Sequence, residues 1–470
     1  LPNKWTVFSI VAGGVLMATI DSSIVNVTLP VIAHYFGSPL GGLVEWVVIG
    51  YLVVVAALLL TAGRISDIVG RRVSWAWGLA VFTVGSALCG AAGSLGVLVG
   101  CRVLQGLGSA FLMAVSPAMI VGAFPPHQRG RALGLNALVV GVGISIGPTL
   151  GGVVVEHFGW RWIFYVNVPL GVLGIVATLR LLPRDRQGTR GPVDWPGALL
   201  LALGLGGITA ALSFGSELGW SSKPLLGGTA TALLALAGFG IRVRRVSEPV
   251  IDPRLFKNRV FSSASASLLM SFVATFAVAF LMAFYLEELR GWRADHAGLL
   301  LTPLPLTSAI VSPASGALAD RIGSQKLAAS GMLIAAFGLA SISAIDETTG
   351  VGRLVLGLVV IGIGQAVFRA PNNSALMGSA PRDRQGVAAG VLATARVMGQ
   401  SLSVAMAGAL FAACGGADAS VALRLGDRVP LGAPVVDAFL RGLHAAFMGC
   451  TLVALLASAA ALVRGREPVV

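Results

Sequence analysis

Stretches of about 20 apolar residues, each long enough to cross roughly 30 Å of hydrocarbon as a helix, recur fourteen times along this chain. They fall at 5–29, 43–62, 73–92, 97–122, 132–155, 162–182, 195–214, 225–243, 261–286, 297–319, 327–344, 354–377, 387–413 and 438–463. With 56% hydrophobic residues, 11% charged ones and a mean hydropathy of +0.87, the chain cannot clothe a water-soluble core in polar surface. Lipid is the expected solvent, and the expected fold class is an all-α polytopic membrane protein. The 62 glycines fit, because membrane helices associate through small residues that let their backbones approach.

Charge narrows the function. The formal net charge of +13 is spread over short basic runs between the apolar stretches, not gathered in one stripe, which argues against nucleic acid as a partner. If the N-terminus is cytoplasmic, the cytoplasmic loops hold most of the 33 Lys and Arg, so the positive-inside rule places both termini in the cytoplasm. The heaviest basic cluster, Arg242 to Arg259, reads as a connector lying on the anionic inner leaflet. Asp21 inside the first stretch, with no small-residue cleavage site, marks that stretch as a span and not a cleaved signal. Cys89, Cys101, Cys414 and Cys450 lack metal-ligand spacing and read as small packing residues. The five histidines have no carboxylates at fixed helical spacing, and no G-x-x-x-x-G-K-[ST] string exists. Neither enzyme chemistry nor ATP as the energy source is therefore expected.

GRISDIVGRR, beginning at Gly63 after the second stretch, has a degenerate echo in GALADRIGSQK, beginning at Gly316 after the tenth. The echo marks two halves with an extra helix pair between them: 1–182, 183–259 and 260–470. A duplicated six-helix unit points to pseudo-twofold alternating access.

The sequence resembles the major facilitator superfamily, in particular its fourteen-helix branch of drug:proton antiporters. GRISDIVGRR is similar to the family's loop between helices two and three, with Gly63, Asp67, Gly70, Arg71 and Arg72 on the fixed positions. RVLQGLGSA from Arg102 is similar to the fourth-helix motif, GVGISIGPTLGG from Gly141 to the fifth-helix antiporter motif, and DSSIVNVTLP from Asp21 to the first-helix motif of the branch. The resemblance implies two six-helix bundles plus two linker helices, no cofactor beyond the proton gradient, and a protein that acts as a monomer in the plasma (bacterial inner) membrane. Membrane lipids, protons and a small amphipathic substrate are the implied partners.

Asp21 is the acid that stands out, because an intramembrane carboxylate is costly and is usually kept for transport or proton relay. At 1.5 Å per residue from Trp5 it lies about 24 Å up its helix, the depth at which Arg102 enters from the other side, about 7 to 8 Å below the outer interface. The two are expected to interact, directly or through water, and to form the proton-coupling site; a permanent ion pair closing the outer gate is the bland alternative. Family likeness implies a cytoplasmic gate at Gly63, Asp67, Gly70, Arg71 and Arg72, with a weaker counterpart at Asp320 and Arg321. The basic residues could instead simply set topology. Gly143, Gly147, Gly151 and Gly152 put small residues along helix five, and Pro148 favours a bend. By resemblance this motif seals the outer side, although a plain packing seam reads equally well. Asn26, Gln105, Gln365, Arg369, Asn372 and Arg396 are candidate cavity residues, but the arginines could snorkel. Phe and Met residues on helix nine, such as Phe276 and Met282, could line a pocket or face lipid and core. No comparably deep acid is visible in the second half, which disfavours polycationic substrates.

Proton-driven export of amphipathic molecules such as drugs or hydrophobic metabolites is the leading expectation. Proton symport of a nutrient and movement of lipids or glycolipids between leaflets are the alternatives.

Overall fold

A computed structural model describes residues 3–38, 42–125, 128–183, 193–246, 253–380, 385–425 and 433–463. The helices are α1 Lys4–Tyr35, α2 Trp46–Val69, α3 Arg71–Gly90, α4 Leu95–Ala123, α5 Arg129–Phe158, the short α6 Trp162–Tyr165, α7 Asn167–Leu181, α8 Trp195–Leu218 and α9 Lys223–Arg245. After a 3-10 turn at Leu255–Lys257 come α10 Arg259–Thr275, α11 Ala277–Phe284, a π-helical turn at Tyr285–Leu289, α12 Ala294–Leu301, α13 Pro303–Ile322, α14 Ser324–Ile342, α15 Val351–Gly378, α16 Gln385–Ala413, α17 Gly416–Leu425 and α18 Pro434–Leu462. Thirteen of the described helices are long and apolar enough to span a membrane; a fourteenth span results if Gly390–Ala413 and Gly416–Leu423, bent by 80°, are one. The chain is thus an all-helical multi-pass membrane protein.

Two groups of helices carry the packing. In the first, α1 lies on α5, and α4 lies on α2 and α3; in the second, α15 lies on α13 and α14, and α18 on α14 and α10. The inserted α8 packs on both α2 and α16, while α9 packs on α8 and stays largely lipid-facing. Asp194 caps α8 by accepting from Gly197 N at 3.0 Å, and the same carboxylate oxygen holds Arg242 Nε of α9 at 2.6 Å. That pair pins the two inserted helices together at one end.

Contacts between chain ends define the end of the bundle that carries both termini. Lys4 Nζ donates to Gln128 Oε1 at 2.6 Å at the start of α1 and α5, and Arg259 Nε donates to Val463 O at 2.9 Å, where α10 starts and α18 stops. At this end the structure corrects the sequence reading of the GRISDIVGRR segment as a loop. The second helix runs on through Asp67 to Val69, and Gly70 alone makes the connection, at φ +105°, before Arg71 opens α3. Only a residue without a Cβ takes that conformation cheaply. Gly323, at φ +88°, makes the same one-residue connection between α13 and α14, so the degenerate echo in sequence is a close repeat in backbone conformation.

At the opposite end the two groups meet along α5 and α12. A Cβ on Gly152 would stand 2.3 Å from Ala294 O, and one on Gly298 would stand 2.4 Å from Pro148 O, so each helix approaches the other's backbone where only glycine fits. Thr149 Oγ1 and Thr302 Oγ1 share a hydrogen bond of 2.5 Å, and Arg293 Nε pairs with Glu156 Oε1 at 2.9 Å. This seam is closed.

Candidate functional site

Asp21 sits in the interior of the first group, 1% exposed, where α1 faces α4 and α7. Its Oδ2 accepts from Arg102 Nη1 at 2.6 Å. Its Oδ1 accepts from Gln105 Nε2 at 2.8 Å and from Asn167 Nδ2 at 2.9 Å. Arg102 and Gln105 lie one turn apart on α4, which is the spacing that lets both reach one partner. Arg102 is wholly buried; its Nε donates to Val47 O at 2.8 Å and its Nη1 also to Gln105 Oε1 at 2.5 Å. Gln105 Nε2 donates further to Ser86 Oγ at 2.7 Å. The Arg102 guanidinium lies 4.3 Å from the centre of the Tyr51 ring and 5.7 Å from that of Phe164, a stack of cation on aromatic faces. Only Nη2 lacks a hydrogen-bond partner among the described residues. Such a buried charge pair holds together because almost every polar atom in it is satisfied.

Beside this network lies a cavity of about 20 Å³, room for about one water molecule. It is lined by Thr19, Ser22, Tyr51, Ser109, Met113 and Ile144 of the first group, and by Arg396 and Gln400 of α16, among others. Tyr51 belongs to both places. Its ring carries Arg102, its hydroxyl bonds to Ser109 Oγ at 2.6 Å, and it also lines the cavity. Tyr51 thus touches both the cavity and the ion-pair network.

The structure disperses several residues that the sequence grouped together. Of the candidate cavity residues, Arg396 lines the described cavity, and its Nη2 approaches Met113 Sδ at 3.3 Å. Gln105 belongs to the ion-pair network instead. Asn26 donates to Ser22 O of its own helix at 3.3 Å; Gln365 is buried. Asn372 holds α15 to α10, donating to Ala264 O at 3.0 Å and accepting from Ser267 Oγ at 3.1 Å. Arg369 lies with its guanidinium 4.7 Å from the centre of the Phe272 ring. On helix five, Gly143, Gly147 and Gly151 face α1, where a Cβ would meet Thr19 Oγ1 at 2.2 Å, Ser23 Oγ at 1.7 Å and Ile24 Cγ1 at 2.7 Å, whereas Gly152 faces α12. The motif thus has two contact edges, one toward each group.

At the terminus-bearing end, Arg71 Nη1 donates to Ala118 O at 3.0 Å, and Arg72 donates to Thr178 O at 3.3 Å and to Leu179 O. These bonds tie α3 to α4 and α7 inside the first group. Asp67 is exposed, and Gly63 faces Ala114 of α4. The side chains of Asp320 and Arg321 lie outside the described residues.

Sequence reasoning missed Tyr51, Ser109 and Asn167. The polar signal of Asn167 inside the sixth stretch was available. It also passed over acids at the ends of spans. Glu45 is fully buried at the start of α2, beside Gly408 of α16. The π-helical turn carries the ninth span through Glu287 and Glu288, with Ser420 of α17 donating to Glu288 Oε2. A span ended at 286 hides both.

Thirteen or fourteen spans, most of them packed in two groups, with polar side chains buried among them, define a membrane transporter. The chain belongs to the Major Facilitator Superfamily, whose profile matches residues 11–404. It is 33% identical over 415 residues to the riboflavin transporter RibZ of Clostridioides difficile (strain 630), covering 88% of this chain and 89% of that one. It is 33% identical over 414 residues to the multidrug resistance protein Stp of Mycobacterium tuberculosis (strain CDC 1551 / Oshkosh), covering 87% and 77%. Identity to the tetracenomycin C resistance and export protein of Streptomyces glaucescens is 32% over 412 residues, 87% and 76% of the two chains. Among solved structures, a bacterial homologue of the human lysosomal transporter Spinster superposes with a TM-score of 0.71 at 16% identity, covering 98% of this chain and 96% of that one, a likeness of fold alone. As a member of this family the chain is a transporter and not an enzyme, and needs no cofactor; among the described residues no group of three or more His, Cys, Asp or Glu could hold a metal.

Proposed function

We propose that this protein is a proton-coupled exporter of amphipathic small molecules, sitting in the plasma membrane with both termini in the cytoplasm and working as a monomer by alternating access. One observation carries the reading. A carboxylate in the middle of a span, Asp21, is held by an arginine and two amides, and that arginine rests on a tyrosine that also lines the space between the two halves. Protonation of Asp21 removes the charge that holds Arg102. The guanidinium is then free to turn, and Tyr51, which rests on it, moves with it. Substrate in the cavity and proton on Asp21 thus compete through one side-chain layer. The halves are 1–182 and 260–470, with 183–259 as the inserted pair. In this scheme the α5/α12 seam is the outer gate, and Asp67 with Arg71 and Arg72 serves the cytoplasmic gate, where Asp320 and Arg321 form the counterpart.

The two resistance relatives support export of amphipaths. A metabolite as substrate is favoured by the relation to a riboflavin transporter. Proteoliposomes with an imposed pH difference test the reading. Dye or antibiotic should accumulate against its gradient in wild type and not in Asp21→Asn; accumulation unaffected by the substitution refutes proton coupling at this site.

A further inference from the structure

Among the described residues, two guanidiniums of the second group stand without a counter-charge. Arg396 projects from α16 into the cavity, where its described polar contact is the thioether of Met113 at 3.3 Å. Arg369, on α15, lies against the face of Phe272 at 4.7 Å, outside the lining of the cavity. No carboxylate of the described residues lies within ion-pair distance of either. The cavity's one nearby acid, Asp21, is already spent on Arg102, Gln105 and Asn167.

Both arginines are half-buried within membrane-spanning helices, where a cation is expensive unless it is paired and hydrogen-bonded. Arginine answers that cost best with a planar or tetrahedral oxyanion, which takes two parallel N–H donors. The rest of the lining is apolar or neutral: Leu52, Val55, Ile144, Val397 and Gln400. We propose that the transported molecule is an amphipathic organic anion, its carboxylate, sulfonate or phosphate held by Arg396, with Arg369 reached as the halves part, and its apolar body by the cavity wall. This rests on the reading of the cavity as the substrate site. In the closed state there is room for about one water, so the anion enters only when the halves part. On entering it supplies the charge that the protein leaves out.

The test uses three pyrene probes that differ only in the tail: butyrate, butanol and butyltrimethylammonium. Binding to the protein in nanodiscs is measured against empty nanodiscs of the same lipid, for wild type, Arg396→Gln, Arg396→Lys and Arg369→Gln. The expected result is tighter binding of the butyrate than of the alcohol by about tenfold or more, the size of a charge-assisted hydrogen bond. Arg396→Gln should erase that preference and Arg396→Lys keep most of it; Arg369→Gln should weaken it. Because both Arg396 variants change the same position, retained preference in the lysine form separates charge from folding. Equal binding of the three probes to wild type, a preference for the ammonium tail, or a butyrate preference that survives both glutamine variants overturns the proposal. Proton-driven movement of any probe in proteoliposomes is read separately, so an exporter that prefers neutral or cationic probes defeats the anion assignment while the export reading stands.

Discussion

Asp21→Asn perturbs one charge and almost no volume, and its consequences can be worked from the bonds it breaks. The carboxylate takes bonds from Arg102 Nη1, Gln105 Nε2 and Asn167 Nδ2 at 2.6, 2.8 and 2.9 Å. Asparagine keeps one oxygen but turns an NH₂ toward donors, leaving a fully buried guanidinium with neutral acceptors only. Removing one partner of a buried ion pair costs roughly 3–5 kcal/mol, so the variant should unfold at clearly lower temperature or denaturant. Removing both charges, in Asp21→Asn with Arg102→Gln, should recover most of that loss, because a buried pair and its neutral replacement are often close in stability. Coupling behaves differently. One pH unit is worth about 1.4 kcal/mol per proton, which sustains about a tenfold gradient of an uncharged substrate at one proton exchanged. Both the single and the double variant should fall to no gradient, although the double one is stable. The assay pairs denaturant unfolding with pH-driven accumulation in proteoliposomes for wild type and both variants. Wild-type accumulation in the stable double variant, or a double variant as unstable as the single one, would refute the reasoning.

Three further outcomes follow from particular contacts. Gly152→Ala places a methyl 2.3 Å from the backbone oxygen of Ala294, which cannot rotate away, so the α5/α12 seam should part at a cost of about 1–3 kcal/mol and a cysteine placed nearby should label faster; unchanged labelling contradicts the close approach. Asp194→Ala removes both the α8 cap and the partner of Arg242, so hydrogen exchange should rise at the start of α8 and the end of α9 while proton coupling persists; exchange confined to other segments would show that the pair pins nothing. Hydrogen bonds from Thr348 and Thr349 hold the Asp346 carboxyl below the usual carboxylate range, so the stability it lends its loop is present above that range and lost as pH falls through the depressed value. Amide exchange at Thr348 should therefore quicken in acid, and a pH-independent rate would rule the arrangement out.

Hydropathy made the spans legible because lipid imposes a length that no other solvent does. Depth arithmetic along two helices put Asp21 opposite Arg102, and the structure joins them at 2.6 Å. What the sequence hid was set by neighbours. Tyr51 looks like any span aromatic until Arg102 lies on its face, and Gln105 shares its helix with residues that do reach the cavity, such as Ser109. Glu287 and Glu288 were read as loop because charges end a hydropathy window, whereas the wider turn of a π-helix carries the chain past them to Leu289. Gly70 and Gly323 belong to a different kind of signal: their positive φ makes each the whole connection, which the flanking charges disguised as a longer loop.

One rigid element links the gate to the charge. Along α5, Gly143, Gly147 and Gly151 bring its backbone against α1 at Thr19, Ser23 and Ile24, on either side of Asp21. On another face of the same stretch, Gly152 and Thr149 meet Ala294 and Thr302 of the second group. If α5 swings away from α12, the glycine-lined contact leaves no slack with α1, because packed interfaces shift between discrete arrangements more readily than they stretch. Displacing α1 alters the geometry of a carboxylate whose three partners sit on α4 and α7, helices that do not share the seam. A change of proton on Asp21 acts back along the same path. Reciprocity of this kind is what coupling requires: the two events bias one another only if some element has a different energy in each combination of states. In this scheme α5 and α1 together are that element, and the glycines are the reason they move as one.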